Sequence, residues 1–222
     1  MIFFDIDATL LDHEKAEQLA ASAFFINNLE ELPFSKAIFV KRWFDLSIKY
    51  FDKFLANEIS FQEQRRFRIK ELFGNHLTNK QADDKFNEYL AFYKENWSVF
   101  EDVIPCLDHF KAQRKRLGII SNGDYNQQIE KLTQLNILNY FDCIVSSSEI
   151  GISKPKEAIF THACEIAEVQ IHETFYIGDR LDIDAISSSN AGMKGIWLNR
   201  NNKLSHPDVI VIHNLSELSD VI

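Results

Sequence analysis

The other motifs of the chain are best interpreted around its first segment, Met1-Ile2-Phe3-Phe4-Asp5-Ile6-Asp7-Ala8-Thr9-Leu10-Leu11-Asp12. Its apolar run, Ile2 to Phe4, predicts a short buried strand that ends at two carboxylates. Because side chains alternate along a strand, we expect Asp5 and Asp7 to point the same way at its carboxyl end, where open α/β sheets bind ligands. Two acids held together repel each other unless a cation intervenes, and Mg2+ favours carboxylate ligands. A strand end with two solvated aspartates is the plain alternative.

The composition is that of an ordinary globular protein, with 222 residues, 45% of them hydrophobic and 26% charged. This length allows one large domain or two small ones. The formal charge of −9 argues against a nucleic-acid surface, because phosphate backbones are bound by extended positive patches. A small phosphorylated ligand is not excluded.

The chain has neither a predicted signal peptide nor a predicted membrane span. Its first strand begins at residue 2, and no apolar run reaches membrane-spanning length. The cysteines Cys106, Cys143 and Cys164 are widely spaced and form no C-x-x-C pattern. They predict reduced thiols, and hence a cytoplasmic protein.

Residues 13–100 show helical periodicity and contain a single glycine, Gly74, and a single proline, Pro33. Ser60 followed by Glu63 predicts a capping box at the start of one helix, and Gly74 predicts its end. The periodicity predicts four helices, Glu14 to Leu29, Phe34 to Asn57, Ser60 to Phe73 and Asn79 to Trp97.

After Val103 short apolar runs alternate with helical segments, which predicts parallel strands joined by right-handed crossovers. Residues 1–12 and 101–222 are therefore expected to form one α/β domain with a Rossmann-like parallel-sheet core. Residues 13–100 would be an all-helical domain inserted into it, placed to act as a lid. The strands predicted after the first are Leu117 to Ile120, Cys143 to Val145, Thr174 to Ile177, Gly195 to Leu198 and Val209 to Ile212. The helices predicted between them include one from Ile104 to Arg116 and one that starts at Ile183.

Polar residues follow four of the predicted strands. Each has an ordinary structural explanation by itself, as a turn, a solvated loop lysine or an acid at a helix start. Their joint occurrence at strand ends, which converge on one edge of a parallel sheet, argues instead for a site. They are Asp5 and Asp7, Ser121 and Asn122, Lys154, and Asp179 with Asp182 and Asp184.

These segments resemble, in order, the four motifs of the haloacid dehalogenase superfamily. The resemblance covers the core, and it implies a Rossmann-like fold with a helical cap inserted after the first motif. Ala8 departs from the family pattern, in which Gly, Asp or Asn is commoner. The matching segments are Phe3 to Asp12, Ile119 to Gly123, Lys154-Pro155 and Ile177 to Asp184, the last followed by Asn190 to Met193.

The resemblance implies a role for each core residue. Asp5 would attack phosphorus to give a phosphoaspartyl intermediate, and Asp7 would act as general acid and then general base. Mg2+ would be held by Asp5, the Asp7 backbone carbonyl and Asp179.

The same resemblance implies a phosphate pocket around the metal. Ser121 and Lys154 would bind the phosphoryl oxygens as charge shifts in the transition state. Thr9 and the Asn122 backbone amide would support that pocket. Asp184, with Asp182, would orient the metal's waters or Lys154.

Asp7 also distinguishes the chemistries of this superfamily. Haloacid dehalogenases lack this second aspartate and need no metal, whereas phosphatases and phosphomutases keep it, so the resemblance implies a phosphatase rather than a dehalogenase. A phosphomutase needs further acid or base groups in the cap, for which His13, more simply a helix-start residue, is the nearby candidate. A non-catalytic small-molecule-binding protein would have no need of Asp7 beside Asp5.

Further positions of the cap and the core carry a second resemblance. They are Trp43, Asn57 to Ser60, Arg66-Phe67 and Leu72-Phe73 in the cap, and Ser121 to Gly123, Gln128, Leu132, Tyr140 to Asp142, Ser147, Gly151, Lys154-Pro155 and Ile159-Phe160 in the core. These positions resemble the pyrimidine 5′-nucleotidase-like branch. This resemblance implies a small phosphorylated metabolite as substrate, a nucleoside monophosphate or a sugar phosphate. Phe39, Trp43 or Phe67 would then stack on a base, although aromatic residues at helical spacing are by default core packing. The physiological substrate, the breadth of specificity and the oligomeric state, monomer or homodimer, cannot be read from the sequence.

Overall fold

The computed structural model describes residues 1–56, 58–203 and 206–222. Two compact units make up the chain, one of Met1–Asp12 with Ser98–Ile222 and one of His13–Trp97. Asn57, the predicted end of the second helix, lies outside the described residues. The assignment of the two units as catalytic core and cap stays a prediction.

Among the residues that the structure describes, the first unit contains a parallel sheet of six strands, which confirms the predicted α/β Rossmann-like core. The spatial order of the strands is β3-β2-β1-β4-β5-β6. The strands are β1 (Ile2–Phe4), β2 (Leu117–Ser121), β3 (Cys143–Ser146), β4 (Phe175–Gly178), β5 (Lys194–Leu198) and β6 (Ile210–Ile212).

Strand β1 lies at the point where the strand order reverses. Phe4 pairs with Ile119 of β2 on one side and with Ile177 of β4 on the other. Ligands of open α/β sheets bind beyond the carboxyl ends of the strands at such a switch point. The residues that follow β1, β2 and β4 are therefore brought to one edge.

Four long helices form the described part of the second unit, as predicted. They are α1 (His13–Asn27), α2 (Lys36–Leu55), α3 (Phe61–Phe73) and α4 (Asn79–Glu95), with a 3-10 turn at Leu29–Glu31. The predicted capping box is confirmed, because Ser60 Oγ accepts from the Glu63 amide at 3.2 Å while the Glu63 carboxylate accepts from the Ser60 amide at 2.8 Å. None of the helices within the described ranges has both the length and the apolar composition needed to cross a bilayer.

Aromatic side chains fill the interior of the helical unit. Phe39 and Trp43 are completely buried, and the ring centroids of Trp43 and Tyr89 lie 4.2 Å apart. The guanidinium group of Arg68 lies 4.5 Å from the centre of the Trp43 ring and is paired with the buried Glu17 at 3.2 Å. Phe39 and Trp43 are therefore core residues, the default explanation for aromatics at helical spacing. Phe67 is 37% exposed.

Shorter helices cover the sheet of the first unit. They are α5 (Val103–Ala112), α6 (Tyr125–Gln134), α7 (Ser147–Ile150), α8 (Glu157–Ile166) and α9 (Ser187–Asn190), with 3-10 turns at Leu138–Tyr140, Ile171–Glu173 and Leu215–Asp220. A π-helical turn, Leu181–Ile186, precedes α9, so the helix predicted from Ile183 starts two residues earlier. Phe160 packs edge-on against Tyr176 in the core, with ring centroids 5.1 Å apart.

The two chain segments that flank the helical unit are joined to each other within the first unit. The Asp12 amide donates to the Ser98 carbonyl at 2.9 Å, and the Phe100 amide donates to the Leu10 carbonyl at 3.2 Å. Leu11 and Val99 form an antiparallel bridge. The ends of the insertion are therefore held side by side by backbone hydrogen bonds.

Ala8 has a backbone φ of 62°, in the left-handed region that an alanine Cβ disfavours. We expect Ala8→Gly to raise the free energy of unfolding by about 0.5–1 kcal/mol, after allowance for the greater freedom of glycine in the unfolded chain. Urea unfolding in EDTA measures this change. Ala20→Gly within α1 is the matched control and should lower stability. Equal losses in both variants would show that the Ala8 conformation carries no strain.

Candidate active site

A buried ammonium group joins two carboxylates at the edge where β1 and β4 end. Lys154 Nζ lies 2.8 Å from Asp5 Oδ1 and 2.7 Å from Asp184 Oδ1. All three side chains are more than nine-tenths buried. Burial lowers the pKa of Lys154, but Asp184 and Asp5 outweigh burial and hold that pKa above its ordinary value. Lys154 therefore remains charged, and it compensates the buried carboxylates electrostatically.

The turn after β4 fixes Asp179 and Asp184. A Cβ on Gly178 would collide with the Asp184 carboxyl group, so only glycine leaves room for that side chain. The Arg180 amide donates to Asp184 Oδ2 at 3.0 Å, and Trp197 Nε1 donates to the Asp179 carbonyl at 2.9 Å. Gly178 thus allows the close approach of the Asp184 side chain to the end of β4.

Asn122 holds the loop that carries Lys154. Its Oδ1 accepts from the Lys154 amide at 2.9 Å, and its Nδ2 donates to the Lys154 carbonyl at 3.1 Å. This reciprocal pair ties the segment after β2 to the segment after β3. The predicted phosphate contact of the Asn122 backbone amide stays a prediction.

Tyr176 is part of the site although the sequence analysis did not select it. Its hydroxyl accepts from Lys154 Nζ at 2.7 Å and donates to the Ile120 carbonyl at 2.9 Å. A tyrosine in the middle of a buried strand needs a partner for its hydroxyl, and this was the available signal. Tyr176 is thereby the third hydrogen-bond acceptor of the Lys154 ammonium group, after Asp5 and Asp184.

Two residues of α6, Gln128 and Lys131, reach Ser121 and Asp7, and the sequence analysis assigned neither of them a role in the site. Lys131 Nζ lies 2.6 Å and 2.7 Å from the two carboxylate oxygens of Asp7. Gln128 Nε2 donates to Ser121 Oγ and to the Asn122 carbonyl, both at 3.1 Å. Asp5 and Asp7 are therefore held by different lysines.

Two predicted residues lie outside these contacts. The Thr9 side chain is completely buried, and its hydroxyl has no hydrogen-bond partner among the described residues. The Thr9 carbonyl accepts from Arg200 at 3.0 Å. Asp182 is exposed. The predicted phosphate-pocket role of Thr9 and orienting role of Asp182 stay predictions.

Three carboxylates of the site could hold a metal ion. Asp5, Asp179 and Asp184 each offer an oxygen, and these oxygens lie within 4.8 Å of one another. Lys154 contacts two of the three, so the group keeps a formal excess of negative charge that a divalent cation would offset. Carboxylate oxygens are the donors that Mg2+ prefers, so the residues present fit that ion. Asp184 joins this set, whereas the predicted backbone ligation by Asp7 stays a prediction.

The pKa values of two of these acids reflect that excess charge. Burial, together with the Asp184 and Asp7 carboxylates, raises the pKa of Asp5 to about 6, even though Lys154 lowers it. Burial, with the charges of Asp184 and Asp5, raises the pKa of Asp179 to about 8. Both groups are thus costly to ionise without a cation.

We expect Mg2+ to raise the melting temperature more at pH 8 than at pH 5. An acid with a raised pKa keeps its proton up to a higher pH in the folded protein than in the unfolded chain. Its ionisation therefore lowers the free energy of unfolding as pH rises from about 4 to about 8. A bound cation removes that cost. Melting with Mg2+ or EDTA at both pH values measures the difference. Asp179→Asn should reduce the shift, and Asp220→Asn, at an exposed acid with no assigned role in the site, should not. Equal wild-type shifts at both pH values would contradict the expectation.

His13, the candidate acid or base of a phosphomutase, is engaged within the helical unit. Its Nδ1 lies 2.6 Å from the Tyr93 hydroxyl, and its Nε2 lies 3.6 Å from Glu17 Oε2. The His13 and Tyr93 rings also pack edge-on, with centroids 5.6 Å apart. These contacts suit a residue at the start of α1.

Comparison with known proteins identifies relatives with phosphatase names. The chain is 32% identical over 133 residues to the glyceraldehyde 3-phosphate phosphatase of Methanothermobacter thermautotrophicus, covering 55% of this chain and 58% of that protein. It is 31% identical over 133 residues to the N-acylneuraminate-9-phosphatase of Rattus norvegicus, covering 60% of this chain and 53% of that protein. The chain thus spans little more than half the length of these relatives.

A solved structure and a family description complete the comparison. The HAD hydrolase YfnB of Bacillus subtilis, crystallised with magnesium, superposes with a TM-score of 0.82 at 23% identity, covering 99% of this chain and 96% of that one. At this identity the likeness shows the fold. The family model of haloacid dehalogenase-like hydrolases matches residues 1–192. That range includes the charged and hydroxyl groups at the centre of the site, Asp5, Asp7, Ser121, Lys154, Asp179 and Asp184. The chain therefore belongs to the haloacid dehalogenase-like hydrolase family.

Proposed function

We propose that the protein is a Mg2+-dependent phosphatase that hydrolyses phosphomonoesters through a phosphoaspartyl intermediate on Asp5. The observation that carries the proposal is the buried contact of Asp5 with Lys154 at 2.8 Å, beside the acids Asp179 and Asp184. The phosphatase names of two relatives support phosphomonoester chemistry. Asp7, retained two residues after Asp5, supports hydrolysis of phosphate esters rather than dehalogenation.

In the first half of the reaction an Asp5 oxygen bonds to phosphorus while the bond from phosphorus to the leaving oxygen breaks. Lys154 lies beside that oxygen and is placed to hold a phosphoryl oxygen as charge shifts. The Ser121 hydroxyl would bind a second one. Mg2+, held by Asp5, Asp179 and Asp184, would supply positive charge against the phosphoryl group.

Asp7 transfers the proton in both halves of the reaction. Its carboxyl group gives a proton to the leaving oxygen, so that an alcohol departs. Its carboxylate then takes a proton from water as the water oxygen bonds to phosphorus and the bond from phosphorus to Asp5 breaks. Inorganic phosphate leaves, and Asp7 and Asp5 return to their starting states.

We infer that the substrate is a small sugar-like phosphate rather than a nucleoside monophosphate. The two phosphatase relatives are named for a triose phosphate and for the 9-phosphate of an acylated nine-carbon sugar acid. The argument for a nucleotide relied on an aromatic wall, but Phe39 and Trp43 are completely buried within the helical unit. Phe67, at 37% exposure, is the remaining candidate for stacking on a base.

The decisive experiment is phosphate release from a panel of substrates, in Mg2+ and in EDTA. The panel contains glyceraldehyde 3-phosphate, hexose phosphates, N-acylneuraminate 9-phosphate, nucleoside monophosphates and p-nitrophenyl phosphate. We expect release that requires Mg2+ and is faster for the sugar phosphates than for the nucleotides. A preference for nucleotides would overturn the substrate class alone. No release from any compound by the folded protein would overturn the phosphatase proposal.

We also propose a reducing cellular compartment, the cytoplasm. The cysteines Cys106, Cys143 and Cys164 are free thiols, and Cys106 and Cys164 are buried. Free thiols persist where glutathione and thioredoxin keep cysteines reduced. Fractionation of cells that produce the protein tests this proposal, which recovery from an oxidising compartment would contradict.

A further inference from the structure

We propose that Lys131 and Gln128 of α6 are positioning residues, Lys131 for the proton-transferring Asp7 and Gln128 for the phosphoryl-binding Ser121. The inference rests on the proposed phosphatase function. Residues three apart lie on one face of a helix, so the two side chains can reach neighbouring groups of the site. The start of α6 is itself fixed, because Asp124 Oδ1 accepts from the Gln127 amide at 2.9 Å.

Lys131 holds the Asp7 carboxylate by both oxygens. The two distances, 2.6 Å and 2.7 Å, place the ammonium nitrogen between the oxygens, which restricts rotation of the carboxylate about its own axis. Only 5% of the Lys131 side chain is exposed, against 30% for Asp7. A lysine is rarely buried without a partner, so its burial is explained by the contact with Asp7. The acid is thereby presented in one orientation.

Gln128 directs the proton of the Ser121 hydroxyl. The Gln128 amide donates to Ser121 Oγ at 3.1 Å and is itself buried. Because one lone pair of Ser121 Oγ accepts this hydrogen bond, the hydroxyl must donate its own proton to an acceptor other than Gln128 Nε2. In the structure the Ser121 hydroxyl reaches the Asn122 carbonyl only at 3.4 Å. A charged phosphoryl oxygen is a stronger acceptor than that distant carbonyl. Gln128 therefore leaves Ser121 ready to donate to the phosphoryl group.

The two positioning residues serve mainly different parts of the reaction. Gln128 Nε2 lies 3.1 Å from Ser121 Oγ and 3.5 Å from Asp7 Oδ2. Lys131 contacts Asp7 at 2.6 Å, so Lys131 is the principal partner of Asp7. Asp7 protonates the leaving oxygen, and this matters more the poorer the leaving group is. Ser121 binds the phosphoryl group, which every substrate has in common. The reduction in activity caused by loss of Lys131 should therefore depend on the leaving group, whereas the reduction caused by loss of Gln128 should not.

The test is the leaving-group dependence of kcat/KM for phenyl phosphate and p-nitrophenyl phosphate in Mg2+. Phenol leaves poorly without a proton and p-nitrophenol leaves well, and the two substrates are similar in shape. We expect Lys131→Met to reduce kcat/KM for phenyl phosphate at least about tenfold more than for p-nitrophenyl phosphate. Gln128→Met should reduce both by a similar factor of about ten. Lys111→Met, which removes a half-exposed lysine paired with Asp142 at 3.4 Å, is the matched control and should change neither.

Each outcome decides the inference. Equal losses for the two substrates in Lys131→Met would overturn the positioning role of Lys131 and leave the phosphatase proposal standing. A leaving-group dependence in Gln128→Met would overturn the division of roles. If Lys131→Met does not fold, Lys131→Gln is measured in its place and should show the same difference between substrates. Absence of wild-type turnover would overturn the proposed function and this inference with it.

Discussion

Replacement of Asp5 by asparagine is expected to abolish phosphate release from every phosphomonoester, by on the order of 10⁴-fold or more. The amide oxygen is a far weaker nucleophile than a carboxylate and cannot form the acyl phosphate. The variant should remain folded, because Lys154 keeps its contact with Asp184 at 2.7 Å. Burial raises the pKa of Asp5 to about 6, so removal of this charge should not lower the melting temperature in EDTA at pH 8.

Steady-state phosphate release and thermal melting test this expectation together. Asp220→Asn is the control, because Asp220 is an exposed acid that has no assigned role in the site. It should keep near wild-type turnover. A near wild-type rate for Asp5→Asn would refute the covalent mechanism, whereas loss of rate with loss of folding would show that Asp5 is required for the structure.

Lys154→Met is expected to abolish turnover and also to lower the free energy of unfolding by about 3–5 kcal/mol in EDTA at neutral pH. The substitution keeps an apolar stem but leaves the buried Asp5 and Asp184 carboxylates without their shared ammonium group. Mg2+ should restore part of the stability, because a cation offsets the same charges, but not the turnover. Urea unfolding with and without Mg2+ measures both effects.

A double-mutant cycle distinguishes electrostatic from packing causes of this loss. Asp184→Asn in the Lys154→Met background removes one of the unpaired carboxylates, so the double variant should be more stable than the sum of the single losses predicts. Simple additivity would show that Lys154 acts through its packing and not through its charge.

The strands could be predicted from the sequence because each is a short apolar run next to turn residues or a motif. Each observed strand end lies within one residue of its predicted position. Helix ends were less predictable. The helix expected from Ile104 to Arg116 ends at Ala112, because Arg114 takes a left-handed φ of 59° before the chain enters β2. No glycine marks that turn, so the sequence gives no local signal for it.

The site residues divide in the same way. Asp5, Ser121 and Asp179 could be selected because each lies at or directly after a strand end, a position defined by local sequence. Lys154 could be selected because it precedes a proline in the loop that follows β3 and α7. Lys131 and Tyr176 could not, because a lysine within a helix and a tyrosine within a strand have ordinary surface and core explanations. Only the three-dimensional contacts, at 2.6 Å and 2.7 Å, connect them to Asp7 and Lys154.

The hydrogen bond from Asp12 to Ser98 has a consequence for how such a chain can diversify. All the groups assigned to the chemistry belong to one compact unit, and the chain leaves and re-enters that unit at two backbone positions held together by the unit's own hydrogen bonds. Closure of the gap therefore does not depend on the inserted helices. Evolution, or a protein engineer, can lengthen, shorten or exchange that insertion as a module while the chemical apparatus is inherited unchanged.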